Sequence, residues 1–114
     1  MTRISTHVLD ISRGQPAAGV AVQLERREER NSWRMLASGR TDQDGRCAEL
    51  LPADETLSPG EYRLTFETQS YFDTVNILGL YPSVEITFRV REEQRHFHLP
   101  LLLSPNGYTT YRGT

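Results

Sequence analysis

Residues 61 to 68 read Glu-Tyr-Arg-Leu-Thr-Phe-Glu-Thr, with apolar and polar side chains alternating along most of the segment. Successive side chains of a β-strand leave opposite faces, so this order puts Tyr62, Leu64 and Phe66 on one face and Arg63, Thr65 and Glu67 on the other. A half-buried strand follows. The same period marks residues 4 to 10, 20 to 25, 33 to 38, 84 to 90, 95 to 103 and 108 to 111, with a shorter candidate at 47 to 51 before a loop around Pro52, Pro59 and Gly60. Turn chemistry separates them: Gly14 and Pro16, Asp44-Gly45, and Ser104-Pro105-Asn106-Gly107. The charged stretch 26 to 31 has no apolar face and reads as a solvated hairpin tip.

One segment breaks the pattern. Tyr71, Phe72, Val75, Leu78 and Gly79 fall at roughly helical spacing, which predicts a short helix over 70 to 80, ended by Pro82. Seven or eight short strands and a single helix in 114 residues define an all-β chain, an antiparallel β-sandwich of one domain spanning 1–114.

Composition removes several functions. A formal net charge of −2 gives no basic field for nucleic acid. The N-terminal residues enter a strand pattern without the apolar stretch of a secretory signal, and the run from Leu99 to Leu103 is broken by Pro100 and too short to span a bilayer. Cys47 is the only cysteine, so no intrachain disulfide forms, in keeping with a cytoplasmic location. All 13 basic residues are arginine, which excludes Schiff-base chemistry and a lysine base.

The remaining reactive groups are few. His96 and His98 lie two apart on one strand and share a face, while His7 lies in the first strand. Alone, the pair is a weak signal: ordinary strand residues, acid–base groups, or with His7 a three-imidazole zinc site. Arg46 follows the turn Asp42-Gln43-Asp44-Gly45, whose spacing fails the calcium loop, since that loop needs glycine at position six and glutamate at twelve. Cys47 reads as a structural thiol. No phosphate loop, nucleophile elbow or metalloprotease helix occurs.

Three blocks carry a resemblance that spans nearly the whole chain. They are Ser5-Thr6-His7-Val8-Leu9-Asp10 with Gly14-x-Pro16-Ala17, then Thr41-Asp42-x-Asp44-Gly45-Arg46, and finally His96-Phe97-His98-x-Pro100-Leu101-Leu102-Leu103-Ser104-Pro105 running into Tyr108 and Tyr111-Arg112-Gly113-Thr114. With these the chain resembles the transthyretin-related 5-hydroxyisourate hydrolases. The resemblance implies a transthyretin-like sandwich, hydrolytic ring opening of 5-hydroxyisourate in urate degradation, no cofactor or metal, and a homotetramer built as a dimer of dimers. It also implies catalytic roles for His7, Arg46 and His98, with His96 secondary and Tyr111, Arg112, Gly113 and Thr114 lining the substrate site. A histidine of the His7/His98 pair would activate water, and Arg46 would bind substrate and stabilise developing negative charge. Thr114 stands where the family usually has serine, and Phe97 where it usually has tyrosine. The alternative is a non-catalytic carrier of the same fold, which loss of the histidines and arginine would favour.

Overall fold

The computed structural model describes residues 3–48, 50–51, 57–92 and 96–114. Their order is β1 (Arg3–Asp10), β2 (Gln15–Pro16), β3 (Ala21–Arg27), a 3-10 turn (Glu29–Asn31), β4 (Trp33–Arg40), β5 (Arg46–Cys47), β6 (Gly60–Phe66), α1 (Thr68–Thr74), β7 (Val84–Val90), β8 (His96–Ser104) and β9 (Gly107–Thr110). Two sheets form. One runs β2-β1-β8-β9, with β5 also paired to β1, and the other runs β4-β3-β6-β7.

Alternation decides which atoms meet between the sheets. Ile4, Thr6, Val8 and Asp10 of β1 are buried while the intervening residues are not, and β6 buries Tyr62, Leu64 and Phe66. Phe97, Leu99, Leu101 and Leu103 of β8 complete that layer. Truncating one such leucine to alanine costs about 2–5 kcal/mol in a core of this kind.

The transthyretin-like sandwich expected from sequence is present, with seven strands of four or more residues among those described. One pairing departs from the antiparallel pattern: β1 and β8 run parallel, with Ser5 opposite His98 and His7 opposite Pro100. Hydrophobic period is the same for either direction, so this pairing is fixed only when the two distant segments meet.

The helix ends earlier than predicted. α1 stops at Thr74, six residues before the expected limit, and Pro82 plays no part in stopping it. Asn76 adopts a left-handed conformation (φ 57°), with Asn76 N–H donating to Asp73 O at 3.3 Å and Ile77 N–H to Phe72 O at 3.0 Å. This bond pair is a Schellman cap, and asparagine tolerates its left-handed position. Leu78 is consequently 96% exposed instead of lying on a helical face. Thr68, assigned from sequence to the preceding strand, opens the helix. The hairpin-tip assignment also shifts, because β3 extends to Arg27 before the 3-10 turn. The expected loop at Pro52 and the strand start at Arg95 lie outside the described residues.

Asp10 ties the end of β1 to α1. Its Oδ2 accepts from Tyr71 OH at 2.7 Å, and its Oδ1 accepts from Ser12 Oγ at 2.6 Å and Ser12 N–H at 3.1 Å. Burial raises the carboxyl pKa, but these bonds outweigh it and hold the group below the ordinary carboxylate value. Asp10→Ala is expected to cost about 1–3 kcal/mol, chiefly by leaving the hydroxyl of buried Tyr71 without its acceptor. A depressed carboxyl contributes stability above its unfolded pKa, about 3.9, and loses it as pH falls through the lower folded value. Urea unfolding at fixed protein concentration should therefore show a wide gap between parent and variant at neutral pH and a narrower one in acid.

Candidate active site

The turn after β4 is built to set Arg46. Asp42 Oδ1 accepts from Asp44 N–H and Arg46 N–H, both at 2.9 Å, while Gly45 N–H donates to Asp42 O at 2.9 Å. The two aspartates that mimic a calcium loop are thus held within the turn. Gly45 (φ +77°) lies so close to β1 that a Cβ there would fall 2.4 Å from Val8 O. Only glycine permits this approach, which brings Val8 N–H to 2.7 Å from Gly45 O and registers Arg46 opposite His7. The guanidinium of Arg46 has no hydrogen-bond partner among the described residues and is exposed.

The same turn holds His7. Its Nε2 lies 2.8 Å from Asp44 O. A carbonyl only accepts, so Nε2 donates to it. His98 is held through its other nitrogen: Nδ1 lies 2.9 Å from Ser5 Oγ. Burial, then the neighbouring His7 and Arg46, push the His98 pKa below the ordinary histidine value. The ring is therefore neutral near pH 7 and able to accept a proton.

The tail joins this cluster by a defined register. His98 bridges Gly113 in the same alignment that pairs Leu101 with Thr110 and Ser104 with Gly107. Gly113 N–H donates to His98 O at 2.7 Å. Hydrogen-bonded pairs recur at alternate residues, so the next falls at Pro100 and Tyr111, where proline has no N–H to give. The ladder lapses there, and Thr110 Oγ1 donates to the Pro100 carbonyl instead, at 2.8 Å. Beyond the lapse, Arg112 stacks over the Phe97 ring at 4.3 Å and donates from Nη2 to His96 O at 3.0 Å.

These groups surround an open depression of about 860 Å³ beside β1 and β8, which Thr6, Ala48 and Phe97 also border. Arg46, His96, His98, Arg112, Gly113 and Thr114 line it, as do Arg3 and Ser5. His7 does not line it directly, but its β1 position and its electrostatic effect on His98 place it at the edge. Tyr111 is 54% exposed and outside the lining. Phe97 is buried in the core cluster and also borders the depression, with Arg112 over its ring. No group of three or more potential metal ligands occurs among the described residues, so the three imidazoles do not converge as a metal site. Burial, followed by the nearby Asp42 charge, pushes the Cys47 thiol pKa up, which suits a structural role.

Sequence reading assigned no role to Ser5, the Asp44 carbonyl or Arg3. Ser5 does share a strand face with His7 by simple alternation. Its contact with His98 depends on the parallel register and was not legible.

Gly113→Ala tests the tail contact. A Cβ there would lie 2.7 Å from His98 Cδ2 and 3.3 Å from His98 O, so the ring or the tail must move. The expected result is a loss of about 10²-fold in turnover, the penalty for a displacement near 1 Å, with the unfolding midpoint nearly unchanged because the tail lies outside the core. Unchanged turnover would remove Gly113 from the site.

A two-sheet sandwich with His98 and a guanidinium unpaired among the described residues at one depression is a transthyretin-like scaffold with polar groups gathered beside one sheet. Sequence comparison agrees with that class: the HIUase/Transthyretin family model matches residues 4–113, and the chain belongs to this family. It is 42% identical over 111 residues to the 5-hydroxyisourate hydrolase of Salmonella typhimurium, covering 97% of this chain and 80% of that one. The structure of Klebsiella pneumoniae 5-hydroxyisourate hydrolase aligns with a TM-score of 0.85 at 39% identity, over 100% of both chains. Sea bream transthyretin in complex with thyroxine aligns with a TM-score of 0.90 at 30% identity, over 97% of this chain and 94% of that one.

Proposed function

We propose that the chain is a single-domain hydrolase that opens the six-membered ring of 5-hydroxyisourate in urate degradation, yielding 2-oxo-4-hydroxy-4-carboxy-5-ureidoimidazoline. The observation that carries this reading is the meeting of a neutral His98 with the Arg46 guanidinium, unpaired among the described residues, at one depression. Ring opening needs a base for water and a cation or donor where the acyl oxygen becomes negative. With Nδ1–H donating to Ser5 Oγ, His98 Nε2 holds the lone pair and takes a proton from water as the water oxygen attacks the acyl carbon. The carbonyl electron pair moves onto oxygen, where Arg46 stabilises it. Collapse breaks the acyl carbon–nitrogen bond, and the imidazolium returns its proton to the departing ring nitrogen. His7 orients the group from the edge, and His96, Arg112, Gly113 and Thr114 form the wall.

The tetramer belongs to the same proposal. β7 and β9 are outer strands of their sheets among the described residues, with edges able to pair with a second protomer. The depression is open and gains an opposing wall if a partner covers it. No helix among the described residues is long and apolar enough to cross a membrane. A cytoplasmic location fits the single free cysteine.

The direct test mixes the protein with freshly generated 5-hydroxyisourate and follows its ultraviolet absorbance against the spontaneous decay. Strong acceleration is expected. Decay at the spontaneous rate by a folded protein would reject the enzyme and favour a carrier.

A further inference from the structure

We propose that Ser5 is a positioning residue for His98, holding Nδ1 so that Nε2 is the nitrogen presented to the depression. This rests on the hydrolase reading for its kinetic consequence, though not for its structural one. Ser5 and His98 are direct partners in the parallel β1/β8 ladder, and paired residues project from the same face. The hydroxyl reaches the ring at 2.9 Å and has no other partner among the described residues. Both groups line the depression.

The two imidazoles of the site are therefore anchored by opposite nitrogens. His7 is fixed through Nε2 by a backbone carbonyl, which no side-chain substitution at position 44 removes. His98 depends on one serine hydroxyl. Gly113 packs against Cδ2 of the same ring, limiting sideways movement, but carries no polar side-chain atom to choose between the nitrogens. Orientation thus falls to Ser5, whose hydroxyl, with no other partner among the described residues, is placed to accept from Nδ1–H, the tautomer that leaves the lone pair on Nε2. His7 and Arg46 are the charged or titratable groups that shift His98, and Arg3, His96 and Arg112 line the same depression; none of them anchors a ring nitrogen of His98 by a hydrogen bond among the described residues.

The test uses the intact protein and the substitutions Ser5→Ala and Ser5→Thr. Nitrogen-15 spectra of imidazole-labelled protein report the His98 tautomer whether or not the protein turns over substrate. The parent should show one dominant neutral tautomer, Ser5→Ala a mixture, and Ser5→Thr the parent pattern restored. For turnover, Ser5→Ala should lower kcat roughly tenfold or more, below the range for losing an acid–base group itself, with KM little changed and the acid limb of the pH profile displaced. Ser5→Thr should recover most of it. An unchanged tautomer together with kcat within about twofold of the parent in Ser5→Ala would overturn the assignment. Absence of turnover by the parent would reject the hydrolase reading and leave the spectroscopic arm to decide the role of Ser5.

Discussion

Replacing His98 by glutamine is expected to lower kcat/KM toward 5-hydroxyisourate by about 10²–10⁴-fold, the contribution of a positioned acid–base group. Glutamine preserves length and polarity but cannot take the water proton at neutral pH. His96→Ala should cost much less, because His96 lies at the exposed rim and its backbone carbonyl, which accepts from Arg112, survives the change. Equal losses at the two positions would show that the base has been misassigned. In the parent, activity requires neutral His98, whose pKa lies below the ordinary value through burial, His7 and Arg46. Activity should therefore hold as pH falls through about 6.5 and decline only further into acid.

Arg46→Ala carries the second large expectation, a fall of about 10²–10³-fold in kcat, the range seen when a donor to a developing oxyanion is removed. KM should rise as well, since the guanidinium has no other partner among the described residues and is free for substrate. The variant also removes one cause of the depressed His98 pKa, so the acid limb of its residual activity should move upward, toward the ordinary histidine value. An unshifted limb with full activity would separate Arg46 from the site. Folding should be little affected, because β5 is held by the backbone of the Asp42 turn.

Much of the fold was legible because period-two alternation is a local property. Tyr62, Leu64 and Phe66 must share a face wherever β6 goes, and burying that face requires a second layer. The helix was legible in existence and not in extent. Its end is set by Asn76 adopting a left-handed conformation, a backbone choice that the apolar spacing continuing to Leu78 conceals. The blocks around His7, Arg46 and His98 were recognisable through their resemblance to a family. From the residues alone they remained three separate weak signals.

The sequence by itself determined the strand faces, the absence of lysine chemistry and the set of groups available for catalysis, since these follow from residue identity and local period. The tertiary structure decided which of those groups meet. The parallel β1/β8 register sets Ser5 against His98, the close approach of Gly45 sets Arg46 against His7, and the tail returns to His98 at Gly113 after the lapse at Pro100. The Asp44–His7 contact joins residues 37 apart and the Ser5–His98 contact residues 93 apart. Local sequence carries no register between such distant strands. Their alignment is fixed only when both bury their apolar faces in one core and satisfy their backbone hydrogen bonds together.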